Sequence, residues 1–193
     1  MAATVGQKAP AFSAKDQTGA TVTQATYAGK YAVLYFYPKD NTPGCTVEAC
    51  AFRDDSAKLK AAGAVVLGIS PDSEKSHQKF IEKFSLPFQL LVDTDNALST
   101  AYGAWGEKSM YGRSYMGVIR STFLIGRDGK LAHVWPKVKV DGHSDDVLAT
   151  IVALKAGKQV PAADVKAEKA APKAKAAPKK PAAKAKKAAP KKR

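Results

Sequence analysis

The chain combines short apolar runs with longer segments in which apolar residues recur at helical spacing. Residues 31–37, YAVLYFY, form a continuous apolar and aromatic run, which is typical of a strand buried on both faces. Shorter runs predict strands over 65–69 and 90–92, and hairpins over 12–23 and 121–135. Helical spacing predicts helices over 45–62, 73–84, 96–102 and 144–156. This order predicts a mixed α/β fold with parallel neighbours early in the chain and antiparallel neighbours later.

The two central helices carry specific expectations. The helix over 45–62 should end at Gly63 and turn four residues inward, namely Val47, Ala51, Phe52 and Leu59. The helix over 73–84 should begin at an N-cap serine, Ser73, and bury its apolar side, which carries Phe80, Ile81 and Phe84. On the same helix we expect His77 to be solvated.

Composition excludes several classes of protein. The chain has 193 residues, and 45% of them are hydrophobic, which is ordinary for a globular protein. No apolar run approaches the roughly 20 residues of a membrane span, so an integral membrane protein is excluded. The first residues do not resemble a secretory signal, and two cysteines cannot form a disulfide framework. We therefore expect a cytoplasmic protein.

The net charge of +14 is concentrated at the C-terminal end of the chain. Residues 165–193 hold 11 Lys and one Arg against one Glu, with 11 Ala, 4 Pro and no aromatic residue. Such a segment has almost nothing to bury, so we predict a folded domain over 1–157 and a disordered basic tail over 158–193. Mobile lysines can bind DNA or another polyanion without reading its sequence, and a merely solubilising tail is the alternative.

Candidate chemistry lies between Pro38 and Cys50, in the sequence PKDNTPGCTVEAC. Cys45 falls where a strand and a loop lead into a predicted helix, and the N-terminus of a helix favours the reactive thiolate. A buried structural cysteine is the alternative interpretation.

The second cysteine, Cys50, follows Cys45 by five residues. In one regular helix their Cα atoms would lie about 8.6 Å apart, whereas a disulfide needs roughly 4.4–6.8 Å. A Cys45–Cys50 disulfide would therefore require the start of the helix to unwind. Metal binding is disfavoured, because this pair supplies only two ligands and the three histidines are distant in sequence.

The cysteine segment resembles the peroxiredoxin family. Pro38, Thr42 and Cys45 match the active-site motif P-x-x-x-T/S-x-x-C, and the second cysteine is similar to the bacterioferritin-comigratory, or Q-type, atypical 2-Cys subgroup. Further along, WGEK at 105–108, MYG at 110–112 and GVIRSTFLI at 117–125 resemble the same subgroup in the same order. The resemblance spans about residues 5–156 and does not cover the basic tail.

The resemblance implies a thioredoxin-like fold, with a mixed central sheet flanked by helices, and a thiol peroxidase. Cys45 would attack hydrogen peroxide or an organic hydroperoxide, and Cys50 would resolve the resulting sulfenic acid by forming a disulfide. Thr42 and Arg120 would hold thiolate and peroxide, and Pro38 would shield the thiolate from water. Position alone would instead make Arg120 a surface ion pair.

The implied partners follow from the same family. Thioredoxin, or sometimes glutaredoxin, would restore the thiols, and no metal or organic cofactor is needed. The enzyme is expected to be a monomer, although a weak dimer is an open alternative.

Glu48 is interpreted as a charge in the first turn of the helix, with proton handling near Cys45 as the alternative, and is not counted among the catalytic residues. The rival functions are a thiol–disulfide oxidoreductase, which the absent C-x-x-C pair disfavours, and a DNA-coating protein.

Overall fold

The fold follows the predicted order of strands and helices. The computed structural model describes residues 3–110, 112–158 and 160. Its strands are β1 (Ser13–Asp16), β2 (Thr21–Thr23), β3 (Tyr31–Phe36), β4 (Ala64–Ser70), β5 (Gln89–Val92), β6 (Trp105–Met110), β7 (Arg113–Val118), β8 (Ser121–Ile125) and β9 (Leu131–Trp135). Its helices are α1 (Pro43–Asp54), α2 (Ser56–Ala61), α3 (Glu74–Phe84), α4 (Ala97–Tyr102) and α5 (His143–Lys155), with a 3₁₀ turn at Gln24–Tyr27.

The apolar run forms β3, an interior strand of the sheet between β4 and β8. Within the described residues, seven strands lie in the order β2-β1-β5-β4-β3-β8-β9, while β6 and β7 pair separately. All six residues of β3 are buried, which agrees with a strand covered on both faces. β3 and β4 are parallel, as are β4 and β5, whereas β8 runs antiparallel to β3 and to β9. The predicted mixed sheet is therefore confirmed.

Successive residues of β3 face two different cores, because side chains alternate along a strand. Val33 and Tyr35 pack in one core, and Leu34 and Phe36 pack in the other. The first core receives residues from α1, α3 and α5, including Cys45, Phe52, Phe80 and Ile151. The second receives Tyr102 of α4 together with Phe12, Val118 and Phe123. Helices therefore cover the sheet, and Phe52 of α1 packs against Tyr35 of β3, with the ring centroids 5.0 Å apart.

The helix predicted over 45–62 is divided into α1 and α2. The division falls at Asp55, whose carboxylate accepts hydrogen bonds from the Ser144 hydroxyl and the Lys58 ammonium, both at 2.8 Å. The inward position expected for Val47 is wrong, because that side chain is 54% exposed. The buried positions of α1 are Cys45, Glu48, Ala49 and Phe52, which share one face of the helix. Val47 lies on the opposite face of α1.

The expectation that His77 is solvated is also wrong. The side chain is fully buried, one helical turn before the core residue Phe80 on the same face of α3. Its ring nitrogens lie 2.9 Å from a carboxylate oxygen of Asp40 and 3.3 Å from the Leu91 carbonyl oxygen. Asp40 and the Leu91 carbonyl thus take the place of the solvent that we expected around the His77 ring.

The hairpin β6–β7 was not predicted. Its residues include Gly106, Gly112 and Gly117 and do not alternate regularly between apolar and polar, so the sequence lacks the usual strand pattern. The two strands pair from Trp105 with Val118 to Met110 with Arg113. Ile119 donates a 2.7 Å hydrogen bond to the Ala104 carbonyl beside the open end of the hairpin. This hairpin leads the chain directly to residue 120.

The predicted basic tail over 158–193 lies outside the described residues except for Lys158 and Val160. Of the helices in the described part of the chain, none has the length and apolar character needed to cross a membrane.

Candidate active site

The site is formed where β3 leads into α1. After β3, a short loop carries Pro38 to Thr42, and Thr42 is the extended N-cap residue of α1, with φ −86° and ψ 150°. Pro43 occupies the first helical position, where its missing N–H breaks no hydrogen bond. Cys45 is therefore in the first turn, where free backbone N–H groups and the helix dipole favour a negative charge. Only 1% of its surface is exposed.

Arg120 is brought to this cysteine by the pairing of β3 with β8. Phe36, the last residue of β3, pairs with Ser121, the first residue of β8, so residue 120 lies beside the loop that leads to α1. The Arg120 Nη2 group donates to the Cys45 Sγ atom at 3.1 Å. A guanidinium in direct contact with a nearly buried sulfur excludes the surface ion pair that sequence position alone suggested.

Glu48 completes a three-residue cluster that the sequence only partly indicated. Its side chain is 1% exposed, and its Oε2 atom accepts a hydrogen bond from the Nη1 group of Arg120. Its Oε1 atom is buried without a hydrogen-bond partner. The interpretation as a first-turn charge is wrong, because α1 begins at Pro43 and Glu48 follows Cys45 by three residues on the buried face. The three-residue spacing between Cys45 and Glu48 was the feature of the sequence that could have placed Glu48 on the same face of the helix as the cysteine.

Burial and charge act in opposite directions in this cluster. Burial raises the pKa of Glu48 from 4.5 to about 7, although the Arg120 charge acts to lower it. Burial alone would lower the pKa of Arg120, but the charges of Glu48 and Cys45 outweigh it and hold that pKa above its usual value. The guanidinium therefore stays charged between two buried acids.

A second cation approaches the cluster from the hairpin. Lys108 of β6 donates from Nζ to the Val118 carbonyl at 3.0 Å. Burial, followed by repulsion from Arg120, lowers the pKa of Lys108, while attraction to Cys45 acts in the opposite direction. The sequence motif contained this lysine, but nothing in the sequence marked it as a neighbour of the cysteine.

Two other predicted site residues, Thr42 and Pro38, belong to the loop before α1. The hydroxyl of Thr42 donates to the Lys39 carbonyl at 3.0 Å, so its recorded hydrogen bond holds the loop rather than the sulfur. Pro38 is half-buried where β3 ends. Both residues therefore shape the loop before α1.

Cys50 lies on α1 together with Cys45, and both are free thiols. Because α1 is continuous from Pro43 to Asp54, its geometry keeps the two Cα atoms about 8.6 Å apart. Among the described residues, no group of three or more His, Cys, Asp or Glu side chains is arranged to hold a metal ion.

Comparison with known proteins assigns this site to a family. The sequence model of the AhpC/TSA family matches residues 5–134. The chain belongs to the AhpC/TSA family. Peroxiredoxin Bcp of Bacillus subtilis is 51% identical over 147 residues, which are 76% of this chain and 94% of that protein. Peroxiredoxin Bcp of Escherichia coli K12 is 47% identical over 143 residues, which are 74% and 92% of the two chains.

Solved structures of PrxQ-type peroxiredoxins are also similar to this chain. Peroxiredoxin Q of Xanthomonas campestris superposes with a TM-score of 0.73 at 42% identity, covering 77% of this chain and 97% of that one. A cysteine-to-serine mutant of Xylella fastidiosa PrxQ superposes with a TM-score of 0.76 at 35% identity, covering 80% and 99%. The chain is thus a peroxiredoxin of the Bcp/PrxQ type, a peroxidase with a thioredoxin-like fold, as the sequence motifs implied.

The raised pKa of Glu48 gives a testable dependence of stability on pH. Between about pH 4.5 and pH 7 the folded protein retains a proton that the unfolded chain loses, so the contribution to stability falls as pH rises. Relative to the Glu48→Gln variant, which has no titrating group here, the wild type should lose about 3 kcal/mol of unfolding free energy across this range. Urea unfolding of both proteins at several pH values measures the difference, and a constant difference would contradict the assignment.

Proposed function

We propose that Cys45, as a thiolate, reduces hydrogen peroxide and organic hydroperoxides in this enzyme. The observation that carries the proposal is the 3.1 Å contact between the Arg120 guanidinium and the Cys45 sulfur at the first turn of α1. Support for organic substrates comes from the Xanthomonas campestris bacterioferritin comigratory protein, whose structural study concerns its alkyl peroxide reduction activity.

The chemical step transfers one oxygen atom to sulfur. The Cys45 thiolate attacks a peroxide oxygen, the S–O bond forms and the O–O bond breaks, and the departing oxygen takes a proton and leaves as water or an alcohol. Negative charge moves from sulfur to that oxygen. A donor beside both atoms stabilises the transition state more than the ground state, and this is the role of Arg120.

Glu48 orients the guanidinium in this proposal. It holds Nη1 while Nη2 faces the sulfur, so the planar fork of Arg120 has a fixed direction. Thr42 supplies a hydroxyl that can turn from the Lys39 carbonyl toward the peroxide, and Pro38 limits the access of water to the thiolate.

The cycle continues through Cys50. Its thiolate attacks the Cys45 sulfur, the disulfide forms as the S–O bond breaks, and the departing hydroxide takes a proton from solvent and leaves as water. The continuous helix separates the cysteines too far for this step, so the first turns of α1 unwind before the bond forms. Thioredoxin, or glutaredoxin in its place, then reduces the disulfide by exchange and is itself oxidised. We place this cycle in a monomer in the reducing cytoplasm, where free thiols persist.

Replacing Cys50 tests the proposed cycle. The Cys50→Ser variant should consume about one peroxide per protein molecule in a burst and then lose thioredoxin-dependent turnover, because the sulfenic acid has no resolving thiol. Stopped-flow peroxide consumption with a thioredoxin system measures both phases, with Cys45→Ser as the control that should show neither. Wild-type turnover in Cys50→Ser would refute Cys50 as the resolving residue. Insulin reduction without peroxide would favour a thiol–disulfide oxidoreductase instead.

We also propose that the basic tail, residues 158–193, binds DNA or another polyanion without sequence specificity and keeps the peroxidase near it. The supporting observation is the net charge of +11 over residues 165–193.

Truncation after residue 157 separates the tail from the peroxidase. The shortened chain should keep its peroxidase activity, while DNA retention should fall and the retention of the full chain should weaken steeply with salt. Electrophoretic mobility shifts at several salt concentrations measure this. DNA binding that does not weaken with salt, or that is unchanged in the truncated chain, would contradict the proposed binding of DNA by the tail.

A further inference from the structure

The loop before α1 contains a second buried polar cluster that the peroxide chemistry does not use. Asp40 is 5% exposed and lies between Pro38 and Thr42. Its carboxylate accepts hydrogen bonds from the Tyr37 hydroxyl at 2.8 Å, the Ser76 hydroxyl at 2.7 Å and the His77 ring at 2.9 Å. A buried carboxylate is tolerated only when such bonds replace its hydration, so these contacts hold the loop strongly.

The cluster fastens the loop to a rigid part of the molecule. Ser76 and His77 belong to α3, whose Phe80 is fully buried in the core. Two more bonds hold the loop, one to the segment between β4 and α3 and one to α3 itself. The Asp40 N–H donates to the Asp72 carboxylate at 2.8 Å, and Lys83 near the end of α3 donates to the Asn41 side chain at 3.3 Å.

The far end of α1 is fixed as well. Arg53 donates to the Phe84 carbonyl at 2.9 Å, which ties α1 to the C-terminal end of α3, and Phe52 is fully buried. Both cysteines therefore lie in a segment, residues 42–51, that is bounded by attachments to α3 at residues 40–41 and at Arg53. Any unwinding that brings Cys45 to Cys50 has to occur between them.

The first attachment acts directly on the start of the helix. The Thr42 carbonyl accepts the first hydrogen bond of α1 from the Thr46 N–H at 2.9 Å, and Asn41 just before it has a left-handed φ of 57°. The first turn of a helix is costly because several residues must be ordered for one hydrogen bond. Fixing residues 40–42 in advance reduces that cost and favours the intact helix.

We propose that Asp40, held by Ser76 and His77, is a positioning residue that opposes the unwinding of α1. The intact helix keeps Cys45 beside Arg120 for the peroxide step, and the unwound segment lets Cys50 reach it. Asp40 thereby sets the balance between peroxide reduction and disulfide formation. This role rests on the proposed Cys45–Cys50 disulfide.

Two substitutions of different severity test the proposal. In Asp40→Asn and the milder Ser76→Ala, the step from sulfenic acid to disulfide should accelerate about tenfold and about fivefold, because the unwound minor state becomes more populated. Oxidation of Cys45 by peroxide should change by less than these factors, since the intact helix remains the major state. Over-oxidation of Cys45 at high peroxide should decrease, because the sulfenic acid is captured sooner.

Asp93→Asn is the matched control. Asp93 is 3% exposed and accepts hydrogen bonds from the Leu98 and Ser99 N–H groups, both at 2.8 Å, at the start of α4. Its loss should destabilise the fold, as measured by urea unfolding, without releasing the loop before α1. The full-length chain is mixed rapidly with one equivalent of hydrogen peroxide, quenched with acid and alkylated, and the disulfide is quantified by mass spectrometry.

The outcomes are distinct. Faster disulfide formation in Asp40→Asn and Ser76→Ala, but not in Asp93→Asn, supports the proposal. Unchanged or slower formation in Ser76→Ala, or the same acceleration in Asp93→Asn, overturns it while leaving the catalytic cycle intact. Absence of a Cys45–Cys50 disulfide in the oxidised wild type overturns the cycle itself and this inference with it.

Discussion

The proposed peroxide chemistry requires a negative charge on a sulfur atom that solvent scarcely reaches, and the rest of the site depends on this constraint. Cys45 is 1% exposed, and burial disfavours the charged form of any acid. The first turn of α1 and the Arg120 guanidinium supply the compensation. Glu48 fixes the orientation of that guanidinium but is itself a buried acid. The charge of Arg120 therefore has to stabilise both the Glu48 carboxylate and the Cys45 thiolate. The arrangement explains why α1 must start where it does and why β8 must pair with β3.

Two steps of the proposed cycle need different states of α1, and hydrogen bonds to α3 hold the chain at both ends of that helix. In the proposed cycle, the peroxide step uses an intact α1, whereas the disulfide with Cys50 requires the first turns of α1 to open. Asp40 before the helix and Arg53 near its end both connect to α3, so the movement is confined to the segment that carries the two cysteines. The strands of the sheet lie outside this segment, and Cys45 and Ala49 are the described buried core residues that lie within it.

Much of the fold and part of the site could be predicted from the sequence, for identifiable reasons. Strand β3, the N-cap at Ser73 and the hairpin β8–β9 have strong local patterns, and each is present. The burial of His77 was missed because its partner Asp40 is 37 residues away in sequence. The hairpin β6–β7 was missed because its residues do not alternate regularly between apolar and polar. Glu48 was placed correctly on α1 but given the wrong surroundings, since the ion pair with Arg120 spans 72 residues of sequence. Local pattern therefore located the chemistry, and tertiary pairing decided which side chains serve it.

The most direct test of this account is the second-order rate constant for oxidation of Cys45 by hydrogen peroxide in Arg120→Met. Stopped-flow measurements over a range of pH compare it with the wild type and with Arg127→Met, which removes an exposed arginine that stacks on Tyr31. Loss of the donor beside the reacting sulfur predicts a fall of about 10²- to 10³-fold that raising the pH does not restore, with no comparable change in Arg127→Met. A rate in Arg120→Met close to that of the wild type would contradict the central role given to the Arg120–Cys45 contact.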